Sequence, residues 1–360
     1  MTTDKQLLSR TECNILRGIA IIGIFLHNYC HWLGPMVKEN EYQYFQHNVD
    51  WLGQVLLAPD YRLPAHLLSF FGHYGVPLFL FLSAYGLVMK YETKPLRQTA
   101  LTVIQPSAWE FVSYHFLKLF KMMIAGFAAF IMVDMITPGP HRYHVVDIIA
   151  QLGLFNNLLP NPDRIIWPGP YWFFGLMLQL YIVYRLFLYR RGWKSTVAMI
   201  LACWAIQAVC PPESEILNRL RYNFIGGMLP FGLGLLYARY GMQVGRQWAA
   251  VFCIMAVICT VVFSFNYQMW YWAPVFVIIA GVCAARCISK IDWMTTAFGW
   301  VGSISSALFV CHPITRKIFI PLSRGTDIYT GLLLYVIASL CLAWLFMQVF
   351  RLIPSPKLKY

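Results

Sequence analysis

The sequence predicts an all-α, polytopic membrane helix bundle of about ten transmembrane helices with both termini in the cytoplasm. Three observations predict it. Of 360 residues, 59% are hydrophobic and 12% charged, where soluble domains run at roughly 45–50% and a quarter. The apolar residues gather in runs that approach the roughly 20 residues a bilayer requires. Most of the 28 Lys and Arg residues fall on one side of the alternating runs, and most of the 15 Asp and Glu fall on the other, as the positive-inside rule demands. This composition excludes a disordered chain, a coiled coil and an ordinary soluble enzyme. The net charge of +13 then belongs to cytoplasmic loops facing lipid headgroups, with no nucleic-acid partner.

The predicted spans lie near 13–34, 68–89, 112–136, 170–189, 195–211, 222–241, 248–265, 270–288, 296–319 and 328–352. They form one unit, 1–360, with short cytoplasmic tails. The N-terminus has no cleavable apolar region, so the first run reads as a retained span. Residues 145–159 are too short and too polar at their ends for a span and read as an interfacial or re-entrant helix. The long outer loops, roughly 35–67 and 137–169, are rich in Trp, Tyr, His, Asn and Pro and large enough to shape a cleft. The ten cysteines show no CxxC pair, and most sit inside apolar runs. They read as small hydrophobes, and no structural zinc site is expected.

An ionisable group near the bilayer centre costs about 2.5–3.5 kcal/mol on insertion scales, so each is a functional candidate. The first span, ILRGIAIIGIFLHNYCHWLG, holds Arg17, His27 and His31. His27 lies about 15 Å along the axis from Arg17, and His31 follows one turn later on the same face. Three readings of His27 stand: a general base, half of a metal site, or a hydrogen bond between helices. The HxxxH pair lacks the Glu of a zinc hydrolase motif, so no metal is expected. Arg17 either snorkels to the inner interface or holds an anionic group. The small and polar residues Gly75, Ser83, Ala84 and Gly86 of the second span read as helix packing. Lys118 and Lys121, at i and i+3 in the third, read as headgroup anchors or as a phosphate site. Gln179 in the fourth needs a partner. His312, before Pro313 near the outer end of the ninth, reads as interfacial structure or as a group reaching an outer cleft. Ser303, Ser305 and Ser306 read as packing; GxSxG, Walker and GxGxxG motifs are absent from the sequence.

The set resembles the membrane-bound acyltransferase family 3, which contains bacterial polysaccharide O-acetylases. The resemblance runs from about residue 12 to 350. LRGIAIIGIFLH (16–27), GVPLFLFLSAYGL (75–87), KLFK (118–121), PYWFFGLMLQLYIVY (170–184) and SALFVCHPI (306–314) carry it. It implies an Arg–His pair on the first span, here Arg17 and His27. Nine residues separate them where the family motif has ten, so Asn28 occupies the usual His register. It implies a basic pair for acyl-CoA, here Lys118 and Lys121 in place of arginines. A WSLSVEEQFY-like patch keeps Trp172, Gln179 and Tyr181, while Met177 and Leu178 replace both acids. A mechanism that requires those carboxylates is excluded for this chain. His312 matches the His of a YLxHP-like patch.

The expectation that follows is an enzyme of the bacterial inner membrane, in contact with membrane lipids. It would move an acyl group, acetyl by default, from cytosolic acyl-CoA to a hydroxyl of an envelope or exported glycan or a lipid-linked saccharide. His27 would be the general base and Arg17 the second catalytic residue of the pair, and Lys118, Lys121, Trp172, Gln179, His31 and His312 would bind substrate. Acyl-CoA is a co-substrate, and no bound cofactor is expected. The rival is a transporter or flippase for a lipid-linked sugar or small anion, since buried polar residues serve substrate paths equally well.

Overall fold

The computed structural model describes residues 7–93, 106–245, 247–325 and 327–358, with the backbone of two-residue strands at Gln98–Thr99 and Thr102–Val103. Apart from that ribbon the described chain is helical. In order, the helices are α1 (Arg10–Cys30), α2 (Gln46–Leu57), α3 (Leu63–Phe71), α4 (Gly75–Tyr91), α5 (Ala108–Ile136), α6 (Val145–Leu152), α7 (Pro162–Ile165) and α8 (Trp172–Val183). The second half holds α9 (Trp193–Ala208), α10 (Glu215–Arg221), α11 (Phe224–Tyr240), α12 (Ala249–Ser264), α13 (Tyr267–Trp270), α14 (Ala273–Ile288), α15 (Asp292–Ser303), α16 (Ser305–Gly325) and α17 (Ile328–Leu352).

Local chemistry sets the ends. Both α1 and α5 begin with a capping box: Ser9 with Glu12, and Ser107 with Glu110. In each box the Ser Oγ accepts the third-residue N–H at 3.1 Å and the Glu carboxylate accepts the Ser N–H at 2.7 Å, satisfying donors that the first helical turn leaves free.

α1 is the hub, packed against α3, α4, α14, α15 and α16. Small residues allow this. A methyl on Gly18 would stand 2.3 Å from the Phe298 carbonyl oxygen, and one on Gly302 would stand 1.9 Å from that of Asn14. Without a hydrophobic drive between helices in lipid, close backbone approach supplies the packing. The outward faces of α12 and α17 carry exposed Phe252, Ile254, Ile258, Leu333, Ile337 and Leu345, an apolar surface that only a lipid environment accommodates at this scale.

Helices lie on all ten predicted intervals. Five stretches are long and apolar enough to cross a membrane alone: residues 10–30, 63–91, 108–136, 169–188 and 328–352. A sixth is the α15–α16 pair counted as one span. The ninth predicted span, 296–319, is therefore corrected. It is two helices bent by 71° at Ile304, and α16 runs on to Gly325. Pro313 does not end the helix: His312 Nδ1 lies 3.1 Å from the Leu308 carbonyl and Thr315 Oγ1 donates to the His312 carbonyl at 3.0 Å. Side chains thus pair with backbone groups around the Pro313 break in the ladder. The 145–159 segment holds the eight-residue α6, with Val145, Val146 and Ile149 exposed. Lys5, Lys94, Arg97, Arg246 and Lys359, five of the cations placed on the inner side, lie outside the described residues.

Two part-buried ion pairs tie distant helices. Glu92, just past α4, takes Arg239 of α11 in a two-pronged contact at 2.7 and 2.9 Å, with the Tyr184 hydroxyl donating at 2.9 Å. Asp134 of α5 meets Lys317 of α16 at 2.9 Å and accepts from the Tyr143 hydroxyl and the His141 N–H.

Candidate functional site

The C-terminal half of α1 lines a cavity of about 250 Å³. His27 is its best-held group. Gly23 and Gly72 bring α1 against the α3–α4 junction: a methyl on Gly72 would meet the His27 Cβ at 2.6 Å and the Gly23 oxygen at 2.7 Å. That approach sets His27 Nδ1 2.8 Å from the Ser69 carbonyl oxygen. A carbonyl only accepts, so Nδ1 carries the proton in the neutral ring and Nε2 keeps its lone pair. His73 is fixed in the same way by the Phe70 carbonyl at 2.8 Å, and its ring lies 5.9 Å from His27.

His31 stands on the other side of His27, with ring centroids 5.4 Å apart. Its Nδ1 pairs directly with Glu39. Burial opposes the charged form of Glu39, but the charge and hydrogen bond of the His31 imidazole hold the carboxyl well below the usual carboxylate range. Glu41, two residues on, behaves oppositely: burial first, then the Glu39 charge, push it up to about 8. His27, His31 and Glu39 each offer a ligand atom within 4.8 Å of the others, so these three could hold a metal ion. The direct His31–Glu39 bond already satisfies two of them.

Both long loops, 35–67 and 137–169, wall this cavity, through Glu39, Glu41, Tyr42, Asp163 and Trp167. Tyr42 stacks on Tyr222 at 3.9 Å and meets Trp172 edge-on at 5.3 Å. The cavity continues into a groove of about 300 Å³ that shares His31, Glu39, Glu41, Tyr42 and Asp163. Arg316 of α16 adds a buried guanidinium, 3.4 Å from the Asn28 carbonyl and 5.1 Å over the Trp32 ring. Asn28 also lines the cavity, but its amide donates to the Ile24 carbonyl at 2.9 Å. An amide has no basic nitrogen, so of these two side chains only His27 has a nitrogen able to accept a proton.

The N-terminal half of α1 borders a second cavity, about 320 Å³. Arg17, Lys118, His115, Ser83, Ser305 and Ser306 supply its polar lining, with Phe79, Met122 and Met177 among its apolar walls. Arg17 is oriented by the Asn14 side chain at 2.8 Å. Phe173 and Phe309 line both cavities and touch, with ring centroids 5.3 Å apart. They are the wall between the two chambers.

The structure thus brings His27, His31 and Trp172 to one chamber, and Arg17 and Lys118 to the other. Lys121 instead donates to Ser355 at 3.1 Å. Gln179 lines neither chamber: it donates to Asn223 at 2.7 Å and accepts the Phe224 N–H at 3.0 Å, capping α11. His312 is fully buried in mid-helix beside Phe309, with Nε2 unpartnered among the described residues. Glu39, Glu41, Arg316, His73 and His115 escaped the sequence reading. Arg316 lies inside the predicted ninth span, 296–319, and carried the signal of a charge within a span.

The described chain is a helical membrane bundle with a cavity at each end of α1, each lined by ionisable side chains. The chain belongs to the acyltransferase 3 family, whose acyltransferase domain matches residues 10–348. No curated protein and no solved structure matches it.

Proposed function

We propose that this acyltransferase moves an acyl group, acetyl being the smallest case, from cytosolic acyl-CoA to a hydroxyl of an envelope or exported glycan or a lipid-linked saccharide. The observation that carries the reading is His27: a buried imidazole with Nδ1 committed to the Ser69 carbonyl and Nε2 free beside an open cavity. In this mechanism Nε2 takes the proton of the acceptor hydroxyl, and the oxygen attacks the thioester carbonyl. The C–S bond then breaks and the CoA sulfur leaves, taking the proton from the imidazolium. The aromatic and acidic walls of the His27 chamber suit a sugar, with rings for stacking and carboxylates for hydroxyls. Arg17 and Lys118 suit the phosphates of CoA as charge partners. The proposed topology has ten spans in a bacterial inner membrane, with the Arg17–Lys118 chamber towards the cytoplasm.

A second base assignment has its own support. His31 is backed by a carboxylate, Glu39, the arrangement that orients and stabilises an imidazolium in acyl-transfer triads. One experiment separates the two. Membranes containing the protein receive acyl-labelled acetyl-CoA and an envelope-glycan fraction, and base-labile label in the glycan is counted at matched expression. His27→Ala should lose about 10²–10⁴-fold, as removal of a general base does, while Asn28→Ala keeps transfer. Full transfer by His27→Ala with loss in His31→Ala moves the role to His31. No transfer and no binding across a panel of acyl-CoAs with the wild type returns the chain to the transporter class.

A further inference from the structure

The His27 chamber holds a cation that neither the packing nor the proposed mechanism uses. Arg316, on α16, is 5% exposed and lines the 250 Å³ cavity together with His27, Asn28 and Trp32. Its Nη1 makes two long contacts, 3.4 Å from the Asn28 carbonyl oxygen and 3.5 Å from the Asn28 side-chain oxygen. Both lie beyond the ordinary range of an N–H···O bond. Its Nε and Nη2 have no hydrogen-bond partner among the described residues, and neither is sealed off by packing as the His312 Nε2 is. The Trp32 ring lies 5.1 Å from the guanidinium carbon. An aromatic face steadies the plane of the fork but supplies no counter-ion.

Other cations within the bundle are matched. Arg239 meets Glu92, Arg286 meets Glu12, and Lys317, the next residue along, meets Asp134. Arg221 is held by the Glu41 carbonyl at 2.6 Å and the Gln207 side chain at 3.2 Å. The acids of the chamber are committed elsewhere. Glu39 is taken by His31. Asp163 accepts from the Tyr222 hydroxyl at 2.6 Å and from the Asn218 amide at 3.0 Å. Burial and the Glu39 charge keep Glu41 largely protonated at neutral pH. A guanidinium does not escape its charge by losing a proton, and a desolvated ion without a partner is costly. The arrangement suits a counter-ion that arrives with the ligand. The fork of an arginine matches the paired oxygens of a carboxylate or a phosphate.

We infer that the acceptor carries an anionic group, a carboxylate or a phosphate, and that Arg316 binds it while the hydroxyl is presented to His27. The inference rests on the reading of this chamber as the acceptor site. Arg316 is an acceptor-binding residue that selects an acidic saccharide over a neutral one. It takes no proton and forms no bond in the transfer.

The test extends the labelled-transfer assay to three forms of acceptor: the envelope-glycan fraction untreated, with its carboxylates reduced to hydroxyls, and with its phosphates removed. With the wild type, one of the two treatments should raise the apparent KM about tenfold or more, as loss of a hydrogen bond to a charged group does, and leave kcat little changed. An effect of carboxyl reduction assigns the group to an acidic sugar, and an effect of phosphate removal assigns it to a phosphorylated or lipid-linked saccharide. Arg316→Met should raise the KM for the untreated fraction by the same factor and erase the difference between treated and untreated forms. Arg316→Lys, which keeps the charge without the fork, should fall between. Equal transfer to all three forms by the wild type overturns the inference and leaves the acyltransferase reading intact. That comparison needs no variant, so it decides even where Arg316→Met does not fold. A treatment effect that persists in Arg316→Met, or a loss of kcat on every form with KM unchanged, also overturns it. No transfer to the untreated fraction from any acyl-CoA removes the acyltransferase reading itself.

Discussion

At the scale of single residues, the His27 chamber sets two carboxyls against each other. Glu39 is held ionised by His31, and Glu41, pushed up to about 8 by burial and by the Glu39 charge, stays largely protonated at neutral pH. An acid whose folded-state value lies above its ordinary 4.5 keeps its proton in the folded chain while the unfolded chain has lost it. Its contribution to stability is therefore unfavourable, growing as pH rises from about 4.5 and levelling off above about 8. Glu41→Gln removes that ionisation. The variant should match the wild type near pH 5, exceed it in thermal midpoint at pH 8, and show a flatter pH profile between, read by unfolding in detergent. A Glu41→Gln protein less stable than the wild type at pH 8 would mean that Glu41 is ionised and bound to a cation. The backbone carbonyl of Glu41, which accepts from Arg221 at 2.6 Å, is unaffected by the change.

At the scale of elements, helix contacts rest on small residues and a few part-buried ion pairs. The Glu92–Arg239 clamp joins the end of α4 to α11, and Arg239 donates as well to the Leu188 carbonyl at 2.8 Å. Removing one partner strands a part-buried charge; the cost is about 3–5 kcal/mol for a fully buried pair and smaller here, where solvent reaches Glu92. Arg239→Ala should therefore lose folded protein and lower the thermal midpoint markedly, and Arg239→Lys should recover only part because an ammonium cannot reproduce the two-pronged fork. Replacing both partners, Glu92→Gln with Arg239→Met, should be milder than Arg239→Ala. A double variant worse than the single would show that the pair is not stabilised as a unit. The element scale is also where sequence reading was strongest and where it slipped. Hydropathy placed a helix on every predicted interval, because lipid solvation demands long apolar runs regardless of tertiary context. It could not see the 71° bend at Ile304, beside the close approach of Gly302 to the Asn14 carbonyl, nor the run of α16 beyond residue 319 to Gly325.

At the scale of the whole molecule, the legible half of the site is the half written on α1. Arg17, His27 and His31 are visible as charges within one span. Glu39, Glu41 and Asp163 were not, because they reach the chamber from loops whose paths no local pattern fixes, and His115 was hidden among the aromatics around it. Nor does the sequence reveal that the two chambers abut. Phe173 and Phe309 belong to α8 and α16 and close the passage between them. On the proposed reading the acyl group meets the acceptor at this wall, since the donor's phosphates and His27 lie on opposite sides of it. The ring pair then limits what passes. Phe309→Ala opens space for added methylenes, each worth about 1–3 kcal/mol in an apolar pocket that fits it. The expected outcome is a rise of about tenfold or more in the ratio of butyryl to acetyl transfer, with Phe173→Ala acting in the same direction. Phe350→Ala, at the end of α17 and lining neither chamber, should leave the ratio unchanged. If both wall variants transfer acetyl at the wild-type rate with an unaltered chain-length ratio, the acyl group does not cross between these rings, and the two chambers serve separate ligands.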